Sequence, residues 1–395
     1  MRAATCTPVD FDASVHFFAR DSGLLCRGLQ AAGTECIVVM LGIIQPNDAP
    51  DLVRGSEEAL RDSSWWRSLN LDLVVLYAWG DPRYIAVARA IRSAGIYLVQ
   101  SLDTAGLVTP YADFKCWTRV SVAKAAMQQT ISSCLKEIAK ASRDLIPCLF
   151  ENRRLEMINE SDAVAAVSPP AMESLAAYAP ALGCQEVVNK LIVVPHPVSP
   201  ALAYRGESKQ KRVLVVGRWG PEDAVQKDPH LTLDVLGKFL DKMPGWTAEI
   251  VGKHSETHTP LIASWSQNTR DQLTLTNFLE HSALRERYAT SSILLCASRY
   301  ESFHISSAEA VCCGCSIVLG AHPLLASTAW FTTLDSGTLA PSRSSSDLVE
   351  ALILEAHRWE TGDRSGESIA VAWAQRLHAP MMAKELLRAT ALLGS

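Results

Sequence analysis

No run of about 18 apolar residues occurs in this sequence, so no segment reads as a membrane-spanning helix. The first ten residues lack the apolar stretch of a secretory leader, and a cytoplasmic chain is expected. There is no surplus of cations: 37 Lys and Arg face 42 Asp and Glu, for a net charge of −5. A general nucleic-acid binder needs a basic face, and none stands out. No G-x-G-x-x-G follows the first strand candidate, which argues against a nicotinamide-dependent enzyme. Repeats of solenoid period and low-complexity tracts are missing too.

The cysteines, eleven and scattered, lack the pairing of a disulfide framework. They read as buried small apolar residues in a reducing compartment. Cys312-Cys313-Gly314-Cys315 is dense in thiols, but no second cluster at zinc spacing accompanies it. His254 and His258 stand four apart, yet Pro260 and the neighbouring Ser and Thr favour a loop. No metal site is expected at either place.

What is present is a β-α-β rhythm. The chain has 395 residues, 48% hydrophobic and 20% charged, enough for two globular domains. Short aliphatic runs at 37–41, 73–77, 96–99 and 163–167 alternate with helical patterns at 23–32, 83–94 and 124–140. A last strand at 191–195 precedes a proline-broken polar stretch. The alternation then resumes: strands at 213–216, 247–251, 293–297 and 316–319, with helices at 231–243, 306–313 and 345–358. Such rhythm predicts parallel sheets covered on both faces. The expected division is a domain at 1–196, a linker at 197–211, a second domain at 212–368 and a closing helical segment at 369–395. Both domains are α/β, doubly wound and Rossmann-like. Ligands of such sheets sit beyond the strands' carboxyl ends, so the chemistry should follow strands.

After the strand at 293–297 come Glu301, Phe303, His304, Ile305, Ser306 and Glu309, then Ala310, Cys313, Gly314 and Val318. Two glutamates stand with seven residues between them. Glu301 falls in a loop; Ser306 and Glu309 fit an S-x-x-E capping box, which by itself would explain Glu309. A carboxylate can accept two hydrogen bonds from a vicinal diol, such as that of a ribose. This stretch resembles the Glu-x7-Glu motif of the retaining glycosyltransferases of family 4 (group 1). Their GT-B fold sets two Rossmann-like domains facing a central cleft. Two positions depart: His304 stands where the family has glycine, and Ser316 where it has proline. The resemblance implies that Glu301 meets the transferred sugar and Glu309 the ribose. The amides of Phe303, His304 and Ile305, at a helix start, would then face the diphosphate.

Gly217-Arg218-Trp219 follows the strand at 213–216, and Lys227-Asp228 precedes the next helix. They resemble the family's Gly-Arg loop and following Lys-Gly, with Asp228 in place of that glycine. Arg218 and Lys227 can stabilise a departing diphosphate without a metal; as plain residues they also fit solvated surface cations. Phe278 and Leu279 lie in a segment similar to the one beside the nucleotide base. Gly23 resembles the glycine of the family's first loop, although a plain turn fits as well. Asp103 stands where many relatives carry a histidine, and reads as a helix cap or an acceptor-side carboxylate. The function implied is retaining transfer of a sugar from a nucleoside-diphosphate sugar to an unidentified acceptor, with no cofactor and no metal. A catalytically weak nucleotide-sugar-binding or scaffold protein of the same fold is the alternative.

Overall fold

The computed structural model describes residues 1–11, 15–102, 110–111, 114–128, 130–220 and 223–393. They fall into two units, Met1–Ser199 with Leu377–Ser395, and Pro200–Arg376.

Strands of the first unit are β1 (Arg2–Thr7), β2 (Glu35–Leu41), β3 (Leu52–Gly55), β4 (Leu73–Tyr77), β5 (Tyr97–Leu102), β6 (Ala163–Ala166) and β7 (Leu191–Val193). They pair in parallel in the order β3-β2-β1-β4-β5-β6-β7. Alternate side chains feed two cores, as a pleat covered on both faces requires. Cys36 and Val38 pack with Leu25, Leu29, Met382 and Leu386 on one face. Ile37 and Val39 pack with Trp66, Ile91 and Leu98 on the other.

The second unit holds β8 (Gln210–Val216), β9 (Thr247–Val251), β10 (Leu273–Thr276), β11 (Ser291–Cys296), β12 (Ser316–Gly320) and β13 (Gly337–Ala340). Their order, β10-β9-β8-β11-β12-β13, is again all parallel. Each unit is therefore doubly wound, with its strand order reversing beside its first strand.

Several expectations need correction. The helix expected over 124–140 is two helices, Phe114–Ala126 and Ile131–Asp144. Thr130 accepts from the Ser133 amide and starts the second afresh. The expected linker reaches too far, since Gln210 and Lys211 already belong to β8. The closing segment at 369–395 is not one element. The helix Gly366–Leu377 ends, His378 pairs with Val198, and the helix Ala379–Leu393 packs in the first unit. The pair His254 and His258 lies at a 3-10 helix, Ser255–Ile262, rather than in a plain loop.

Candidate active site

In the second unit the strand order reverses between β8 and β11, so the segments leaving their carboxyl ends run side by side. The segment after β8 is pinned at once. The buried Trp219 indole donates to the Val251 carbonyl at 3.2 Å. Gly252 has φ +138, and a Cβ there would stand 1.7 Å from the Gly217 carbonyl oxygen. No side chain fits between these two turns. A short helix, Ala224–Lys227, then delivers Lys227 back toward β11.

Lys227 meets Glu301. The ammonium donates to Oε1 at 2.6 Å, and the Gln226 amide donates to Oε2 at 3.0 Å. Both partners of the ion pair are enclosed, with side chains 11% and 6% exposed. Burial works to raise the Glu301 carboxyl, but the Lys227 charge and hydrogen bonds outweigh it and hold it below its ordinary value. The carboxylate is thus ionised at neutral pH.

Asp228 and His304, the two residues at family glycine positions, both have left-handed backbones, with φ +49 and +56. That conformation costs a side-chain-bearing residue about 1–2 kcal/mol relative to glycine. Each is held there by neighbours. Asp228 caps the helix Pro229–Lys242 and receives Arg299 and Arg343, both at 3.0 Å. His304 is buried and caps the helix Ile305–Cys312 through its backbone alone. Its Nδ1 lies 2.6 Å from the Ser307 hydroxyl. Burial pushes the imidazole down from 6.5 to about 4, against the opposing pull of Glu301, so it is neutral at pH 7.

With His304 as the N-cap, Ser306 lies inside the helix and the expected capping box with Glu309 does not form. Glu309 instead accepts from the Tyr288 hydroxyl at 3.0 Å. Arg218 is 75% exposed and pairs with Asp223 at 3.1 Å. The Phe303 ring is buried edge-on against Phe331, 5.4 Å between centroids; only its backbone remains as a contact. Ile305 opens the helix. Phe278 and Leu279 follow β10 at the same sheet edge, the former exposed with the Lys253 ammonium 5.7 Å from its ring centroid.

Gly23 belongs to the first unit and lies within the helix Asp21–Ala31, not in a loop before it. A Cβ there would stand 2.5 Å from the Phe17 carbonyl oxygen, so close packing explains the glycine. Asp103 lies outside the described residues.

Residues 204–368 match the family model of glycosyl transferases group 1. That match covers most of the second unit and less than half of the chain. A search of curated proteins finds no match. Among solved structures, the whole chain is similar to HepE of Anabaena, solved in complex with UDP. The TM-score is 0.64 at 12% identity, covering 99% of this chain and 100% of that one. Sucrose-phosphate synthase of Thermosynechococcus elongatus gives 0.62 at 14% identity, covering 100% and 99%. The lipopolysaccharide outer core galactosyltransferase WaaB in its apo form gives 0.61 at 14%, covering 99% of each. At these identities the likeness establishes the fold, which is GT-B-like with two parallel-sheet α/β units.

Within the second unit, sequence reasoning missed three members of this cluster. Gln226 stands beside Lys227 and holds the second Glu301 oxygen, a role no spacing announces. Tyr288 lies in a segment noted only for the base. Arg343 reaches Asp228 from 115 residues away, beyond any local signal.

Cys296, Glu301 and His304 of the second unit bring ligand atoms within 4.8 Å of one another. Their chemistry disfavours a divalent ion. Burial pushes the Cys296 thiol up to about 11, leaving little thiolate, and the Lys227 ammonium already occupies the carboxylate. Cys312, Cys313 and Cys315 are all buried, and the Cys315 thiol donates to backbone carbonyls of Tyr288 and Ser291.

Proposed function

We propose that the chain transfers a glycosyl group from a nucleoside-diphosphate sugar to an acceptor, with retention of anomeric configuration and without a metal. The observation that supports this most is the enclosed Lys227–Glu301 pair at the point where the strand order reverses in the unit that matches the group 1 family model. Glu301 faces the transferred sugar, where its charge opposes the positive charge that grows on the anomeric carbon. Lys227 and Arg218 take up the negative charge developing on the diphosphate. Arg218 reaches from an exposed position and Lys227 from an enclosed one, so a bound diphosphate would draw Lys227 partly from Glu301. The amides of Phe303, His304 and Ile305 point from a helix start toward the same anion. Because His304 keeps the left-handed turn of a glycine, the direction of those amides survives its side chain. Glu309 accepts from the ribose diol, and Phe278 and Leu279 contact the base. The acceptor is read by the first unit, with Asp103 a candidate residue for it.

HepE was solved with UDP-glucose, which makes uridine donors the first to test. A thermal-shift series with UDP-glucose, UDP-galactose and GDP-mannose tests the reading, because a ligand at 100 times its Kd stabilises the fold by about 2.7 kcal/mol. One of these nucleotide-sugars is expected to raise the melting temperature of the wild type and not that of Arg218→Ala. Equal shifts in both, or none in either, would place the donor elsewhere.

A further inference from the structure

The helix Ile131–Asp144 of the first unit lies inside out. None of its residues is buried. Ile131, Leu135 and Ile138, spaced to form one stripe, are 82%, 60% and 48% exposed. Leu145, Ile146 and Leu149 prolong the apolar surface beyond the helix end, and Phe114 and Val122 of the neighbouring helix Phe114–Ala126, with Met127 just after it, are exposed as well.

The half-buried side of the helix holds Ser133, Cys134, Glu137, Ala141 and Asp144. It packs on the helix Phe114–Ala126. There Lys124 is pushed down by burial, and Glu137 and Asp144 act in its favour. Both acids of the helix are thus drawn to its inner side, while its cations Lys136, Lys140 and Arg143 flank the outward stripe. Lys140 reaches Glu137 at 2.5 Å and Arg143 reaches Asp144 at 2.8 Å, both across an exposed rim where such pairs are weak. Residues 114–146 contain six cations and two acids, in a chain whose net charge is −5.

We propose that this face docks the chain on an anionic lipid surface. Ile131, Leu135 and Ile138 enter the interfacial region, and Lys136, Lys140 and Arg143 lie beside headgroup phosphates with their stems along the stripe. A second copy of the chain fits the charges less well, since a two-fold contact would set this cationic border against itself. The inference rests on the first unit alone and does not depend on where the donor binds.

Flotation of the full chain with vesicles tests it. Wild type should float with phosphatidylcholine vesicles containing phosphatidylglycerol and weakly with phosphatidylcholine alone. Leu135→Glu with Ile138→Glu should lower binding to the anionic vesicles at least about tenfold. Lys136→Gln and Lys140→Gln should each lower it by about fivefold, and added salt should weaken wild type. The far-ultraviolet spectrum and unfolding midpoint should stay in place, because no side chain of this helix is buried. Failure of wild type to float, or undiminished floating of the double glutamate variant, would overturn the proposal. So would a wild-type dimer that the double variant dissolves, which would assign the face to a second copy.

Discussion

The two units wind their sheets in the same way and place different chemistry where the strand order reverses. In the first, β1 ends at Thr7, whose hydroxyl lies 2.6 Å from that of Ser22, and Gly23 sits tightly beneath the Phe17 carbonyl. In the second, the matching place holds the Lys227–Glu301 ion pair, a neutral buried histidine and the Asp228 hub. Topology comes from alternating apolar runs, and both halves have those. Function comes from what the strand-end segments present: Lys227–Glu301 in the second unit, and in the first the enclosed Arg154–Glu151 pair, whose arginine packs beside Gly80 after β4.

The largest contrast should come from the two cations. Lys227→Ala removes the partner of a carboxylate that is 6% exposed. It should cost about 3–5 kcal/mol of stability and lower kcat/KM by about 10²–10³. Arg218→Ala should match that kinetic loss while moving the unfolding free energy by less than about 0.5 kcal/mol, as its side chain is 75% exposed. Urea unfolding and donor kinetics on both variants check this. Equal destabilisation by the two would erase the distinction between enclosed and exposed cation.

Acid should expose the histidine next. Its folded value, about 4, lies below the ordinary 6.5, so the unfolded chain binds the extra proton between those values. Stability is then full above pH 6.5 and falls as pH drops toward 4, by about 3 kcal/mol. Glu301 is also held below its ordinary 4.5, so its loss begins only beneath that pH. His304→Gly should flatten the upper window and relieve the left-handed backbone. A wild-type slope unchanged by that substitution would refute the assignment.

Gly23→Ala should have the smallest effect, about 1–3 kcal/mol through overpacking against the Phe17 carbonyl. Nucleotide affinity should stay the same. Weakened UDP binding with an unmoved melting temperature would instead bring Gly23 into the donor site.

The strands were legible where side chains are branched and aliphatic: 73–77 and 247–251 coincide with β4 and β9. Others were not. β1 lies in the interior of its sheet, between β2 and β4, yet reads Arg-Ala-Ala-Thr-Cys-Thr, mostly small residues that a sheet buried on both faces turns into a strand. β3, β10 and β13 are four-residue strands near or at the edges, too short for a pattern. The motif singled out Glu301 and Lys227 as candidates, but their pairing across 74 residues is tertiary. The capping box misled because a left-handed His304 caps the helix two residues before Ser306 could. The family glycine that His304 replaces was the hint of that backbone sign, and its meaning for the capping box went unread.

The most direct test compares Glu301→Gln with Glu309→Ala, measuring kcat, donor KM and free UDP affinity for each. Glu301→Gln keeps the shape and removes the charge that would act most in the transition state. It should lower kcat sharply and leave UDP affinity near wild type. Glu309→Ala should instead raise donor KM by about tenfold at nearly constant kcat, because a ribose contact is made in ground and transition states alike. Normal turnover by Glu301→Gln, with donor KM unchanged in Glu309→Ala, would contradict the assignment of this strand-end cluster as the donor site.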